Sequence, residues 1–152
     1  MGLNIKDLRI EARDFADNGK MDADHTKVGA DTSPTLTISG VPDGTVELAV
    51  ICHDPDAPLP QGWTHWVLYG IPADTTELGP DADEQFRPGP TDFGTPGYGG
   101  PLPPEGHGPH HYYFWVYALD RAVDGNPTRT EFLDTYADAI IEQNRIKGVF
   151  ER

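Results

Sequence analysis

The 24 residues Gly97–Asp120 (GYGGPLPPEGHGPHHYYFWVYALD) constrain the fold more than any other part of the chain, because their character changes in the middle. The first half is glycine and proline, while His110–Leu119 carries two histidines, three tyrosines, a phenylalanine and a tryptophan. Aromatic content of this density suits a pleated, buried strand. Strand alternation then puts His110, Tyr112, Phe114 and Val116 on one face and His111, Tyr113, Trp115 and Tyr117 on the other. Both faces are apolar further in, which predicts a central strand packed on two sides. Polar groups sit only at its entry, so His110 and Tyr112 emerge from the core beside a loop whose backbone can approach a ligand closely. The mouth of this strand is the first candidate site.

A chain of 152 residues buries about two-thirds of its extended surface and needs neither disulfide nor metal to fold, which predicts one domain over 1–152. The single cysteine, Cys52, excludes an intramolecular disulfide and a cysteine-based zinc site. No run of 18 apolar residues exists and the first 15 residues carry charges, so a soluble, cytoplasmic protein without stable membrane insertion is expected. The charge is unusual: 25 acidic against 11 basic residues give −14. Such a field repels nucleic acid and anionic bilayers, which excludes nucleic acid as a partner class. The acidic residues are scattered, as on a solvated surface, and salt adaptation would produce the same composition.

Residues 3–15 alternate weakly and predict an edge strand; Thr35–Ser39 predicts a second, followed by the turn VPDG. Val46–His53 reads as a buried strand with Val46, Leu48, Val50 and Cys52 on one face and Ala49 and Ile51 on the other. It runs into DPDAP, where Pro55 and Pro58 stiffen the chain and hold Asp54 and Asp56. Asp54 continues the Val46–Cys52 face and belongs at the rim of the core. Trp63–Ile71 is the next strand, with Trp63, His65, Val67, Tyr69 and Ile71 expected on one face. Residues equally distant from a turn face one another, which brings His65 near Asp54.

Gly79–Pro109 holds eight prolines and eight glycines in 31 residues and reads as a long stiffened loop rather than a domain boundary. It lacks the spacing of a phosphate-cradling nucleotide loop. From Thr128 the pattern turns helical. Thr128 and Glu131 form a capping box, Phe132, Leu133, Tyr136, Ile140 and Ile141 follow at helical spacing, and Gly148 is a plausible stop. The closing VFER returns as a short strand or lays Phe150 over the core, and this amphipathic tail is expected to cover one end of the sandwich, with lining a pocket as the alternative.

DPDAP, WTHW and GYGGPLPPEGHGPHHYYFWVYALD, in that order and at that separation, make the chain resemble the phosphatidylethanolamine-binding protein family, in particular its bacterial and archaeal Raf kinase inhibitor-like (YbhB/YbcL) branch. The resemblance runs from about Phe15 to Arg152. It implies a mainly β fold, a sandwich of two antiparallel sheets with a short C-terminal helical segment, and a small rim pocket for phosphate-type anions or head groups. On that likeness the pocket residues are Asp54, Trp63, His65, His110 and Tyr112, with Ala57, Pro58, Gly100 and Pro103 at wall positions. Leu102 stands where cysteine or glycine is common, His111 where arginine is common, and Phe150 where a terminal tyrosine is found.

The implied function is non-enzymatic binding of a small anion such as phosphate, acetate or a phosphorylated group. A regulatory role toward a protein partner, such as a kinase or protease, accompanies it, in a monomer or homodimer without a cofactor. Two imidazoles and a phenol can donate hydrogen bonds to phosphate oxygens, while Asp54 orients a histidine or accepts from a ligand amine or hydroxyl. The alternative from another class is a metal-dependent enzyme using Asp54, His65 and His110. A hydrolase fits less well: the only serines are Ser33 and Ser39, and Cys52, His53 and Asp54 point alternately along one strand.

Overall fold

The computed structural model describes residues 5–152. In chain order its strands are β1 (Arg9–Ala12), β2 (Gly19–Lys20), β3 (Leu36–Ser39), β4 (Glu47–Asp54), β5 (Trp63–Pro72), β6 (Glu77–Leu78), β7 (Arg87–Pro88), β8 (His110–Leu119) and β9 (Ile140–Phe150). Two α-helices interrupt them, α1 (Ala82–Gln85) and α2 (Arg129–Tyr136). A small sheet runs β1-β3-β6 and a large one β2-β9-β8-β4-β5-β7. Pairing is antiparallel throughout except between β2 and β9, which are parallel. The mainly β, two-sheet expectation is met with that one departure. β1 lies at a sheet edge as anticipated, and residues 3 and 4 of its expected span lie outside the described residues.

Burial follows the alternation of the two central strands. Leu48, Val50 and Cys52 of β4 and Tyr112, Phe114, Val116 and Ala118 of β8 pack inward against Ile10, Leu36, Ile38 and Leu78 of the small sheet. The opposite faces, Ala49 and Ile51 of β4 with Tyr117 and Leu119 of β8, form a second core with Phe132 and Tyr136 of α2. The helix therefore covers the outer face of the large sheet rather than an end of the sandwich. β8 is consequently packed on two sides only in its second half. Further toward its start the outer face is half-buried, with the Arg145 guanidinium 5.0 Å above the Trp115 ring and the Lys147 ammonium 5.9 Å above that of Tyr113. Val46 is exposed just before β4, outside the face assigned to it.

Two expectations are corrected. The single-face pattern for β5 fails because its pairing with β4 shifts twice: Leu48 faces Ile71 and Val50 faces Leu68, then Cys52 faces Trp66 and His53 faces Thr64. Each shift adds a residue to β5, as a β-bulge does. Val67 and Tyr69 thus join the outer core, Trp66, Leu68 and Ile71 the inner one, and His65 is the extra residue at the second bulge.

The helix expected to run on to Gly148 stops after Tyr136 and a short 3-10 turn, Ala137–Ala139. Ile140–Phe150 is a strand pairing the whole of β8, from Leu119↔Ile140 to His110↔Phe150. The Thr128–Glu131 capping box is present with both hydrogen bonds. Period-two burial in β9 is disguised by polar residues on its inner side. Glu142 is buried and accepts the backbone N–H groups of Asp7 and Leu8, and the Asn144 amide donates to Leu8 O.

The stiffened loop is laid down on β5. His65 Nδ1 and Gly99 O lie 2.7 Å apart, and Gly99 N donates back to His65 O at 3.0 Å. Asp83 in α1 accepts both the Trp66 indole N–H and the Tyr98 backbone N–H. These bonds carry Phe93 and the Pro101–Pro104 run to the end of the sandwich where β4 and β5 turn.

Candidate functional site

β4 ends at Asp54, a residue 3% exposed whose carboxylate is engaged through both oxygens. Oδ1 accepts the Asp56 backbone N–H at 2.7 Å, closing the turn that DPDAP dictates, and Oδ2 lies 2.7 Å from His110 Nδ1. A carboxylate only accepts, so the proton between them is on His110. His65 reaches the same hollow from the β5 bulge, its ring edge-on to Tyr112 with centroids 5.2 Å apart and 5.4 Å from Phe93. Trp63, paired across the strands with Asp54, stands 5.4 Å from Phe93. These residues surround a cavity of about 380 Å³.

Of the nine residues named from sequence, Asp54, Ala57, Pro58, Trp63, His65, Pro103, His110 and Tyr112 line this cavity. Gly100 does not. Its backbone N–H donates to Asp31 Oδ1 at 2.6 Å, and a Cβ there would stand 2.3 Å from His25 O, so it braces the loop against the Ala23–His25 turn. Leu59, Phe93, Leu102 and Pro104 complete the lining. Phe93 was hidden in a loop where no periodicity marks a side chain.

His107 was also missed. Its Nδ1 lies 2.6 Å from His110 Nε2, extending Asp54–His110 into a chain of three groups. The Gly-Pro pair between the two histidines was the only available signal. His111, at the position often held by arginine, points away from the cavity and bonds Asp56 Oδ2 at 2.7 Å. Burial pushes the Asp56 carboxyl up, but the hydrogen bonds from His111 outweigh it and hold the group below its ordinary value. Phe150 packs into the inner core opposite His110.

The electrostatics refine the chemistry expected of the two imidazoles. Burial lowers the His65 pKa to about 4, against partial support from its bond to Gly99, so the ring is neutral at pH 7. With Nδ1–H donated to Gly99 O, its remaining nitrogen is an acceptor rather than a donor. Burial, reinforced by Asp54, raises the Tyr112 phenol far above its ordinary value and keeps it a neutral donor. The Trp63 indole N–H is buried without a hydrogen-bond partner among the described residues, although the Trp63 ring lines the cavity. On the outer face His53 also falls to about 4 through burial, with Nδ1 3.0 Å from the Thr64 hydroxyl. Burial raises the Cys52 thiol well above its ordinary value, with Asp54 adding to the effect. Among the described residues no three His, Cys, Asp or Glu side chains converge to hold a metal ion. None of their helices is long and apolar enough to cross a membrane.

Fold and site together define a β-sandwich protein with an apolar-walled hollow at one end and a buried carboxylate–imidazole pair in its lining. The profile of the family described as "Phosphatidylethanolamine-binding protein" matches residues 11–151, and the chain belongs to that family. A UPF0098 protein of Methanothermobacter thermautotrophicus is 35% identical over 95% of this chain and 99% of its own length. Escherichia coli YbhB is 39% identical over 74% of this chain and 78% of its own. Among solved structures, that of E. coli YbcL, a member of the mammalian PEBP family, superposes with a TM-score of 0.88 at 34% identity, covering 97% of this chain and 99% of that one. A PEBP homologue, CT736 of Chlamydia trachomatis, gives 0.89 at 27% identity over 95% and 97%.

Proposed function

We propose that the chain is a non-enzymatic binding protein whose end cavity takes a small ligand with an acidic, phosphate- or carboxylate-type group and an apolar portion. The observation that carries this is the composition of the hollow: Asp54, His65, His110 and Tyr112 meet in a lining otherwise made of Ala, Pro, Leu, Phe and Trp side chains. Tyr112 O–H supplies a donor, while the neutral His65 asks the ligand for a proton-bearing atom. A singly protonated phosphate or phosphate ester satisfies both senses. The metal-enzyme alternative loses ground because both Asp54 oxygens are already engaged, by the Asp56 N–H and by His110, and no three His, Cys, Asp or Glu side chains converge among the described residues.

By analogy with the Raf kinase inhibitor-like branch, ligand occupancy reports to a protein partner such as a kinase or protease. The net charge of −14 opposes capture by an anionic bilayer and favours a soluble ligand or a protein. Calorimetric titration with inorganic phosphate and with O-phosphoethanolamine tests the reading. Saturable micromolar-to-millimolar binding that weakens on Tyr112→Phe is expected. Heats no different from buffer dilution for both ligands would overturn it.

A further inference from the structure

The strongest unabsorbed feature is the short bond between two imidazoles, one buried and one exposed. His110 Nδ1 is spent on Asp54, so Nε2 is the only ring atom His110 can offer to a ligand, and His107 Nδ1 already sits 2.6 Å from it. An imidazole nitrogen has one site, either a lone pair or an N–H, and serves one strong partner at a time. We propose that His107 is an internal competitor for the ligand position at His110, so that a bound acidic group must first displace the His107 ring. The inference rests on the cavity being the ligand site.

The surrounding chain suits a displaceable group. His107 is exposed, whereas His110 is 2% exposed. It is flanked by Gly106 and Gly108 with φ of 72° and 88°, a left-handed conformation that glycine adopts without strain, and a Cβ at either would meet no atom within 4 Å. The Pro104–Pro109 excursion thus stands clear of the body. Its other ties run within its own turn or to the exposed Arg152: His107 N donates to Pro104 O, Gly106 N donates to Arg152 O, and the Arg152 guanidinium donates to Pro103 O and lies 3.7 Å from the Glu105 carboxylate. Swinging His107 out breaks none of the Asp54–His110 pair, so the ligand meets an oriented His110 once the ring has left. The ring that leaves Nε2 returns to water, where its nitrogens are solvated. The net barrier to ligand entry is therefore that of one ordinary hydrogen bond, about three- to ten-fold in affinity.

Two measurements on the full chain test this, in wild type and in His107→Ala, with His107→Gln as a second variant that keeps a polar side chain on the loop. The first is ligand-free acylation of histidines by diethyl pyrocarbonate, mapped by mass spectrometry across the six histidines of the chain. His110 is expected to label at least about three-fold faster in the variants, because its free nitrogen is uncovered. The second is a titration with inorganic phosphate, in which both variants bind about three- to ten-fold more tightly than wild type. Unchanged His110 labelling overturns the inference, as does weaker phosphate binding in the variants, which would make His107 a ligand contact. Faster labelling with no phosphate binding by any of the three proteins upholds the hold on His110 and counts instead against the acidic-ligand reading of the cavity.

Discussion

Replacing Asp54 by Asn isolates the interaction on which the geometry of the cavity depends. The native carboxylate presents two acceptor oxygens, one for the Asp56 backbone N–H and one for His110 Nδ1–H, each at 2.7 Å. An amide has one oxygen, so Asp54→Asn can satisfy only one of these donors and turns an NH2 toward the other. The lost charge-assisted bond is worth about 1.5–3 kcal/mol, and leaving a buried donor unmatched costs about 1–3 more. Breaking a buried pair from one side is expected to cost about 3–5 kcal/mol in all, and in a chain of this length melting falls by about 6–20 °C. Urea unfolding at pH 7, followed by tryptophan fluorescence, measures it in a cycle with His110→Gln and the double variant. A coupling energy of about 1.5 kcal/mol or more is expected. Additivity within about 0.5 kcal/mol would show that the two side chains do not depend on each other and would refute the reasoning.

Three further outcomes follow from other parts of the molecule. Thr128→Ala removes the hydroxyl that caps α2 and should cost about 1 kcal/mol, with Thr128→Ser recovering most of it in the same unfolding assay; equal losses would deny the cap. Gly100→Ala forces a methyl to within 2.3 Å of His25 O and 2.9 Å of Thr26 Cα, both backbone, so a destabilisation of about 1–3 kcal/mol is expected; a neutral result would mean that this loop does not pack as described. His65 titrates near 4 when folded against about 6.5 when unfolded, so its contribution is fully present above pH 6.5 and is lost as pH falls toward 4. Stability curves of wild type and His65→Gln should therefore converge by roughly 3 kcal/mol over that window, and parallel curves would contradict the neutral buried ring.

What the sequence revealed and what it hid have physical reasons. β4 and β8 were legible because both faces of each are apolar, so alternation alone assigns their side chains. DPDAP was legible because proline fixes backbone conformation wherever it stands. β5 misled because a bulge is set by pairing with a distant strand: the extra residue at His65 turns Val67 and Tyr69 to the outer face, and the second shift, between Leu68 and Ile71, returns Ile71 to the inner one. β9 misled because Glu142 and Asn144 occupy its inner face, bonding a segment more than 130 residues away, and so erase its period-two pattern. Ile140 and Ile141 then fell into register with the helix before them. At the site, eight of the nine residues singled out share one cavity, yet Phe93 and His107 lie on loops whose conformation no periodicity encodes. Gly100 is close in sequence to the cavity-lining Leu102 and Pro103 but supports the loop from behind.

The central claim is that one hollow, bounded by Asp54, His65, His110 and Tyr112, is where this protein meets its ligand. Proton–nitrogen correlation spectra recorded during a titration with O-phosphoethanolamine test it most directly, since Trp63, whose indole N–H is buried without a partner among the described residues, lines the cavity. The account predicts saturable shifts of that resonance, accompanied by the His65 and His110 ring signals and abolished together in Asp54→Asn. Shifts confined to residues outside the cavity lining, or an undisturbed Trp63 indole at saturation, would contradict it.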